Sequence, residues 1–486
     1  MQYIVRLFPE ITIKSPPVRK RLTRQVRENL RKLLQRLSPE ISVSRDWEKI
    51  TVVVPNALAG VQRQVEAILR DTPGVSKFSR VSTYPLGTLD DLADKVVVRW
   101  VPELEGKTFC VRIRRKGKHS FNSMEAEKLL GSRLFLASNS AGVRLKNPDI
   151  TVSIEIDNDE VRLVESSESG LGGYPIGSQD SVLSMISGGF DSTVASYLCM
   201  KRGLHTHYCF FNLGGRAHEL GVKEVAHYLW QKYGASHRVK FVTVPFEGVV
   251  SEILTNVDNA YMGVILKRMM YRAATTVAES LGVNALVTGE SVAQVASQTL
   301  INLRVIDSVT DMLTLRPLSV MDKEQIIDIS RAIGTESFAA NMPEYCGVIS
   351  VRPTTRAKLE RVEKEESYFD MSVLASAVEN RREEVIDSLL MEGEESSESV
   401  VIHQVPQPGA ILVDIRHPEE IARQPLKAGN TTIIEVPFFE LDKKSAEFEP
   451  HTEYMLYCDR GVMSRLHAEL LREKGLGNIS VYRPTS

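Results

Sequence analysis

The chain has no apolar run approaching the ~20 residues that a membrane-spanning helix needs, and its first residues, MQYIVRLFPEITIKS, contain no apolar signal core. A cytoplasmic protein without a membrane partner is expected. Cysteine is scarce: Cys110, Cys199, Cys209, Cys346 and Cys458 are the five in 486 residues. In a reducing compartment they are not a disulfide framework, so any working cysteine is catalytic or redox-active. Net charge is nearly absent as well, at −2, but it is unevenly spread. Residues 1–175 hold 29 Lys+Arg against 21 Asp+Glu, and the remainder holds 31 against 41. A basic front half suits a polyanion such as nucleic acid; a merely solvated basic face fits the charge alone equally well.

At roughly 100 to 200 residues per domain, the length implies about three or four domains. The front opens on a strand-like Tyr3 to Phe8. A helix-period stretch follows, with Leu22, Val26, Leu30, Leu33 and Leu37 as its apolar stripe and Arg24, Arg27 and Arg31 on its cationic face. Next come a helix from Leu89, a strand from Thr108, the cationic turn RRKGKH (Arg114 to His119), and a hairpin around Asn158. The turn GLGGYPIG (Gly170 to Gly177) continues neither helix nor strand and marks a boundary. Beyond it, apolar strands alternate with helices to about Arg356, as in a parallel-sheet α/β domain. Residues 360–400 carry 13 acidic against 4 basic residues and are expected to be a helical spacer with an acidic linker. The last ~80 residues have the pattern of a smaller α/β unit.

Two strand-to-helix junctions carry the chemistry. In VLSMISGGFDSTVASYL, a buried strand ends in Ser187-Gly188-Gly189-Phe190-Asp191-Ser192 and a helix begins near Thr193. Such a turn presents free backbone N–H groups and a positive dipole end to an anion, with no side chain at the glycines to block phosphate. Ser187, Ser192 and Thr193 can add hydroxyl donors. No lysine closes the loop, which excludes a Walker loop. The pattern SGGxDS resembles the PP-loop of ATP pyrophosphatases, which cleave ATP to AMP and pyrophosphate while adenylating a substrate oxygen. That resemblance implies that Asp191 holds Mg²⁺ or orients the reacting phosphate, and that Met185 and Ile186 flank adenosine. The next strand, read as ending at His207 to Phe210, supplies adenine-side contacts. Lys267, Arg268, Gly289, Glu290, Gln298 and Lys323 fall at strand ends or in adjoining helices, where open α/β sheets bind ligands. Lys267 and Lys323 are candidates to stabilise charge on the α-phosphate.

In LYCDRGVMSRLHAELL, Cys458 opens a tight loop that runs into an amphipathic helix. Facing several N–H groups lowers a thiol's pKa and can cradle a persulfide anion. Ser464 stands where a Cys-x5-Arg phosphatase would need arginine, which excludes that class in its strict form. Upstream, ILVDIRHPEE matches the Asp-x-Arg strand end of rhodanese domains, with Asp414 and Arg416 as its polar pair. Cys110, Cys199 and Cys209 lie within apolar segments and read as structural. Cys346, in MPEYCGVIS, acquires beside a persulfide cysteine the role of a resolving thiol that forms a transient disulfide with Cys458.

SGGFDS, FFNLGG, GVILKRMM, ALVTGE, MPEYCGVIS and CDRGVMS, in this order, resemble the bacterial tRNA 4-thiouridine synthetase family over essentially the whole chain. The resemblance implies a multidomain α/β and α+β protein. Its parts are a ferredoxin-like domain at 1–62, a THUMP RNA-binding domain at 63–167, a PP-loop pyrophosphatase domain at 177–358, an acidic helical linker at 359–405 and a rhodanese domain at 406–484. It further implies ATP- and Mg²⁺-dependent sulfuration of a uridine at position eight of tRNA, with sulfur from a cysteine desulfurase. Sulfur transfer to the small carrier protein of thiamine thiazole synthesis is implied as a second activity. Arg112, Arg114, Arg115, Lys116 and Lys118, with Arg24, Arg27 and Arg31, are expected to hold the tRNA backbone, which positions RNA without reading much sequence. An enzyme adenylating a small molecule, and an RNA-binding scaffold with inert loops, are the competing readings.

Overall fold

The computed structural model describes residues 1–46, 49–213, 215–340, 342, 352–389, 400–416, 418–429, 431–458 and 462–484. Met1–Pro175 and Ile176–Ser486 form two compact units. Among the described residues no helix is long and apolar enough to cross a membrane.

The first unit is built on one eight-stranded sheet. Its order is Ser42–Arg45, Lys49–Val53, Gln2–Leu7, Val75–Pro85, Glu160–Ser169, Ile150–Asp157, Thr108–Lys116 and Gly142–Val143. The helix Pro16–Leu34 starts on prolines, which cost nothing at its first turn, and buries Leu22, Val26, Leu30 and Leu34 against one end of the sheet. The buried stripe runs at spacing four, so Leu34 and not the expected Leu33 faces the core. Each fully buried Leu contributes about 1.5 to 3 kcal/mol. A second core, around Val96, Trp100, Phe109, Leu130 and Ile154, lies under the other end. Val65, Leu69, Val75 and Phe78 belong to the first core, so the division falls near residue 80 and not at 62/63. The eleven-residue strand Val75–Pro85 spans both cores, which is why no linker separates them.

In the second unit, a six-stranded sheet has the order Leu313–Leu315, Ala285–Val287, Ser181–Met185, His205–Asn212, Lys240–Pro245 and Arg382–Val385. Its first five strands are parallel and the last is antiparallel. The chain leaves Ser181–Met185 toward one side and later returns to its other side, making this strand the topological switch point, where open α/β sheets form a ligand crevice. The helix Met262–Ser280 fills the main core with Ile265, Met269, Tyr271 and Val277.

Of the spacer expected at 359–405, residues 359–389 are corrected by this sheet, and the linker residues 390–399 lie outside the described residues. Leu359–Glu366 and Met371–Glu379 are helices whose Val362, Leu374, Ala377 and Val378 join the same core. Arg382–Val385 then completes the sheet, tied by Arg382 to Glu219 at 2.6 Å and by Glu384 to Lys223 at 2.7 Å. Over the described part the acidic bias misled because several of its carboxylates have partners: Glu366 receives Arg268 at 2.6 Å, and Glu383 receives Lys240 at 2.9 Å.

A five-stranded parallel sheet ends the chain, in the order Ile402–His403, Ile479–Tyr482, Tyr454–Tyr457, Ile411–Asp414 and Ile433–Glu435. Here too the connections diverge, between Ile411–Asp414 and Tyr454–Tyr457.

Candidate active site

The phosphate loop leaves the switch-point strand through Ile186, whose N–H donates to Cys209 O at 2.9 Å. Gly188 takes φ +81°, a conformation that a side chain resists. A Cβ there would also lie 3.1 Å from Val222 Cγ2 and closer still to Met342. The Ser192 hydroxyl accepts from Ser187 N–H at 3.1 Å and meets Ser187 Oγ at the same distance, locking the turn from inside. The helix Phe190–Lys201 begins at once, capped by Gly189. The Thr193 hydroxyl oxygen is buried and has no hydrogen-bond partner.

Asp191 is the loop's charged centre. One oxygen accepts from Lys323 Nζ at 2.8 Å and the other from Gln294 Nε2 at 2.9 Å. Lys323 opens the helix Lys323–Ile333 and its ammonium lies 5.4 Å from the centre of the Phe190 ring. Two cation candidates widely separated in sequence are thus distinguished: Lys323 touches the loop, and Lys267 belongs to a cluster beside it. Lys267 Nζ lies 3.9 Å from Glu290 Oε1. The other oxygen of Glu290 accepts from Tyr271 at 2.8 Å, Arg316 at 2.9 Å and Thr288 at 3.0 Å. Burial pushes the Glu290 carboxyl up, but the charges of Lys267 and Arg316 and these hydrogen bonds outweigh it and hold it below the ordinary value. Gly289 joins the two groups. A Cβ on it would sit 2.4 Å from the Asp191 carbonyl carbon and 2.5 Å from Ser192 N, so the strand end abuts the loop backbone. Gln298 is buried nearby in sequence on a short turn whose carbonyl accepts from Ala293 N–H, and its own side-chain oxygen has no partner.

The adenine-side expectation needs correction. His205–Asn212 runs on past Phe210, so His207, Tyr208, Cys209 and Phe210 are mid-strand. His207 accepts from Lys240 N–H at 3.0 Å, and the other three are fully buried in the domain. Burial alone pushes the Cys199 thiol up to about 12, and it is the main cause of the rise to about 12 at Cys209, in keeping with a structural role. Cys110 is buried as well.

At the second junction, Cys458 follows Tyr454–Tyr457 and is 7% exposed. Ser464 N–H donates to its sulfur at 3.3 Å, and the thiol meets the Ser464 hydroxyl at 3.5 Å. Asp414 and Arg416 form a buried bidentate pair at 2.9 and 2.6 Å, and the guanidinium lies 5.0 Å from the centre of the Tyr457 ring, directly behind the cysteine. Cys346 lies outside the described residues, as do Asp459, Arg460 and Gly461. Met342, four residues before Cys346, packs on Gly188 and Gly221 of the phosphate-loop region.

In the first unit, Arg112, Arg114, Lys116 and Lys118 are exposed along the strand Thr108–Lys116 and the turn after it. Arg115 is half-buried, bonded to His119 Nδ1 at 2.9 Å, and His119 Nε2 meets Asn158 O at 2.8 Å, so the turn is pinned while its cations stay outside. Arg24 and Arg31 are exposed and Arg27 half-buried; Glu28 pairs with both Arg27 and Arg31, at 3.0 Å for the latter, which offsets part of that face's charge.

Gln294, Tyr271 and Arg316 were not among the site candidates, whereas Glu290 was. Gln294 has no sequence signature. Glu290 was picked out as the charged residue closing ALVTGE; the strand itself is Ala285–Val287.

A doubly wound sheet with a glycine-serine anion loop at its switch point defines a nucleotide-binding α/β enzyme. The comparisons narrow this. A family model described as thiamine biosynthesis protein (ThiI) matches residues 177–371, and a THUMP domain model matches residues 87–164. The chain is 50% identical over 484 residues to a tRNA sulfurtransferase of Saccharophagus degradans and 51% identical over 486 residues to one of Azotobacter vinelandii, covering 100% of both chains each time. A solved structure described as a 4-thiouridine synthetase–RNA complex with bound ATP superposes with a TM-score of 0.70 at 24% identity, over 79% of this chain and 99% of that one. The chain belongs to the tRNA sulfurtransferase family and is an enzyme.

Proposed function

We propose that this enzyme adenylates a uridine of tRNA with ATP and replaces the C4 oxygen by sulfur carried on Cys458. The observation that carries the reading is the pairing of two reactive loops at two switch points, one shaped for phosphate with Asp191 held by Lys323, the other focused on one sulfur.

The uracil C4 oxygen is a poor leaving group. It attacks the α-phosphorus of ATP, the bond to the β-phosphate breaks, and pyrophosphate leaves. Backbone N–H groups of Ser187 to Ser192, with Met185 and Ile186 beside the adenosine, hold the nucleotide; Lys323, Lys267 and Gln298 stabilise it, with Gly289 allowing close approach. The terminal sulfur of the Cys458 persulfide then bonds to C4, and AMP leaves with the original oxygen. Attack of the Cys346 thiolate on Cys458 Sγ breaks the persulfide bond, leaves its electron pair on the transferred sulfur and forms a Cys346–Cys458 disulfide, which an external thiol reduces. Release of sulfide by the same attack before C4 is reached balances equally.

In this reading position eight of tRNA is the target and a cysteine desulfurase reloads Cys458. A small sulfur-carrier protein for thiamine is a second acceptor. The C-terminal unit serves as a rhodanese domain, which the Asp414–Arg416 pair behind Cys458 supports. A ferredoxin-like start is supported by the strand order Ser42–Arg45, Lys49–Val53, Gln2–Leu7, Val75–Pro85. Arg112, Arg114, Arg115, Lys116 and Lys118, with Arg24, Arg27 and Arg31, bind the RNA backbone. Mg²⁺ would enter with ATP and supply charge neutralisation at the phosphates, and Asp191, whose oxygens accept from Lys323 and Gln294, is the carboxylate that would meet it.

The test is mass spectrometry of unmodified tRNA incubated with the enzyme, ATP, Mg²⁺, cysteine and a desulfurase. Exchange of one oxygen for sulfur is expected. Pyrophosphate release that needs no tRNA, with the tRNA mass unchanged, would overturn the reading in favour of a small-molecule substrate.

A further inference from the structure

The helix Gly215–Leu229 has two faces at work. One holds the phosphate loop: Val222 packs at Gly188, and the His218 ring bonds the Ser187 backbone. The other face meets the C-terminal unit. Arg216 donates to Glu469 at 3.0 Å and to Glu473 at 3.1 Å, and Glu224 meets His467 Nε2 at 2.6 Å. All three partners lie on Val462–Glu473, the helix entered directly from the Cys458 loop. An aromatic chain reinforces the contact: Tyr228 to Phe338 at 5.2 Å, Phe338 to Phe438 at 5.0 Å, and Phe438 to His467 at 6.0 Å.

The chemistry of these groups argues for a built surface. Glu469 and Glu473 are one helical turn apart, which lets a single guanidinium fork reach both. Glu224 is a carboxylate with only 4% of its side chain exposed, and its partner comes from the other sheet's unit and not from its own helix. Burial raises its carboxyl, and the adjoining His467 works against that rise. A buried acid matched by a base across a contact is the pattern of a specific interface.

We propose that the outer face of Gly215–Leu229 is the docking surface for the sulfur-bearing unit, and that Arg216 is its principal latch, positioning Cys458 for transfer to substrate at the phosphate loop. Arg216 is a positioning residue. The proposal rests on the reading of Cys458 as the sulfur carrier.

Its test uses the full chain with Arg216→Glu, which sets like charges against Glu469 and Glu473. Single-turnover thiolation from persulfide-loaded enzyme is expected to fall by about tenfold or more, with tRNA-dependent pyrophosphate release unchanged. Adding Glu473→Arg to Arg216→Glu is expected to restore most of the transfer rate. Hydrogen exchange should show faster opening of Val462–Glu473 in the single variant and recovery in the double. Transfer at the normal rate in Arg216→Glu, an equal loss of pyrophosphate release, or no recovery on charge exchange would overturn the docking assignment. Failure of the carrier reading looks different: Cys458→Ala would thiolate from the same donor as well as wild type, whereas the hydrogen-exchange result would still report on docking by itself.

Discussion

The phosphate loop and the sulfur loop are the same backbone device with opposite contents. Each follows a parallel strand at a switch point and precedes a helix, a position that suits negative charge; at Cys458 the backbone donor among the described residues is Ser464 N–H. At the first, the hydroxyls of Ser187 and Ser192 bond to each other and the anion must come from a ligand. At the second, the protein supplies the group itself, the Cys458 sulfur, which accepts from Ser464 N–H and whose thiol donates to the Ser464 hydroxyl oxygen. Under the proposed function one loop is a receptor and the other a carrier. The cations differ accordingly: Lys323 faces the phosphate loop from an exposed position, whereas Arg416 is consumed inside the sheet by Asp414.

The most severe test separates the two loops by half-reaction. Asp191→Ala removes the group that fixes Lys323, and tRNA-dependent pyrophosphate release should fall by about 10²- to 10³-fold. Cys458→Ala should retain pyrophosphate release and lose all transfer from a persulfide donor. If both variants lost pyrophosphate release alike, the division into receptor and carrier would collapse.

Next in size is Arg416→Met, which leaves the Asp414 carboxylate, 1% exposed, without its partner. Breaking a buried pair costs about 3 to 5 kcal/mol. Calorimetry should show the C-terminal transition moved to lower temperature while pyrophosphate release persists. Gly289→Ala acts on the other loop. Its new Cβ would meet the Asp191 backbone at 2.4 Å, and overpacking of this kind costs about 1 to 3 kcal/mol. The loss should appear in the pyrophosphate-release rate, with persulfide loading of Cys458 untouched.

A pH experiment sharpens the contrast from the phosphate side. The Glu290 carboxyl lies below its ordinary value in the folded protein, because Lys267 and Arg316 outweigh its burial. The stability it contributes is thus present above the unfolded carboxylate pKa and is lost as pH falls through the lower folded value. Glu290→Gln should remove that acid-sensitive component from the denaturation midpoint measured between neutral pH and pH ~3.

Both loops were legible in the sequence because their chemistry is local: a strand, a short run of fixed residue types and a helix start lie within about twenty consecutive positions. The Asp191–Lys323 contact was half legible, since each residue was a candidate but nothing in the chain says that they meet. Gln294 was invisible, because an amide in a loop has no periodicity and its role arises only when Ala285–Val287 is seated beside Ser181–Met185. The acidic stretch after residue 359 failed for the complementary reason. Charge composition reports solvation only when the partners are absent, and here Arg268, Lys240 and Lys223 arrive from elsewhere in the fold.

The smallest expected effect asks what the Ser464 side chain adds to the carrier loop. Ser464→Ala deletes the hydroxyl at 3.5 Å from the sulfur and keeps the N–H at 3.3 Å. One hydrogen bond to a charged group is worth about 1.5 to 3 kcal/mol, and the length of this one places it at the low end or below. The pH dependence of Cys458 alkylation by iodoacetamide should shift upward by about one unit or less, with slower loading by a persulfide donor at neutral pH. The matching variant in the receptor loop, Ser192→Ala, removes a hydroxyl that bonds only within the turn, so it should disturb the shape of the phosphate site and leave thiol reactivity alone. An unchanged alkylation profile in Ser464→Ala would mean that backbone and helix dipole alone make the carrier, and the two loops would then differ in a single residue's chemistry, cysteine in place of serine.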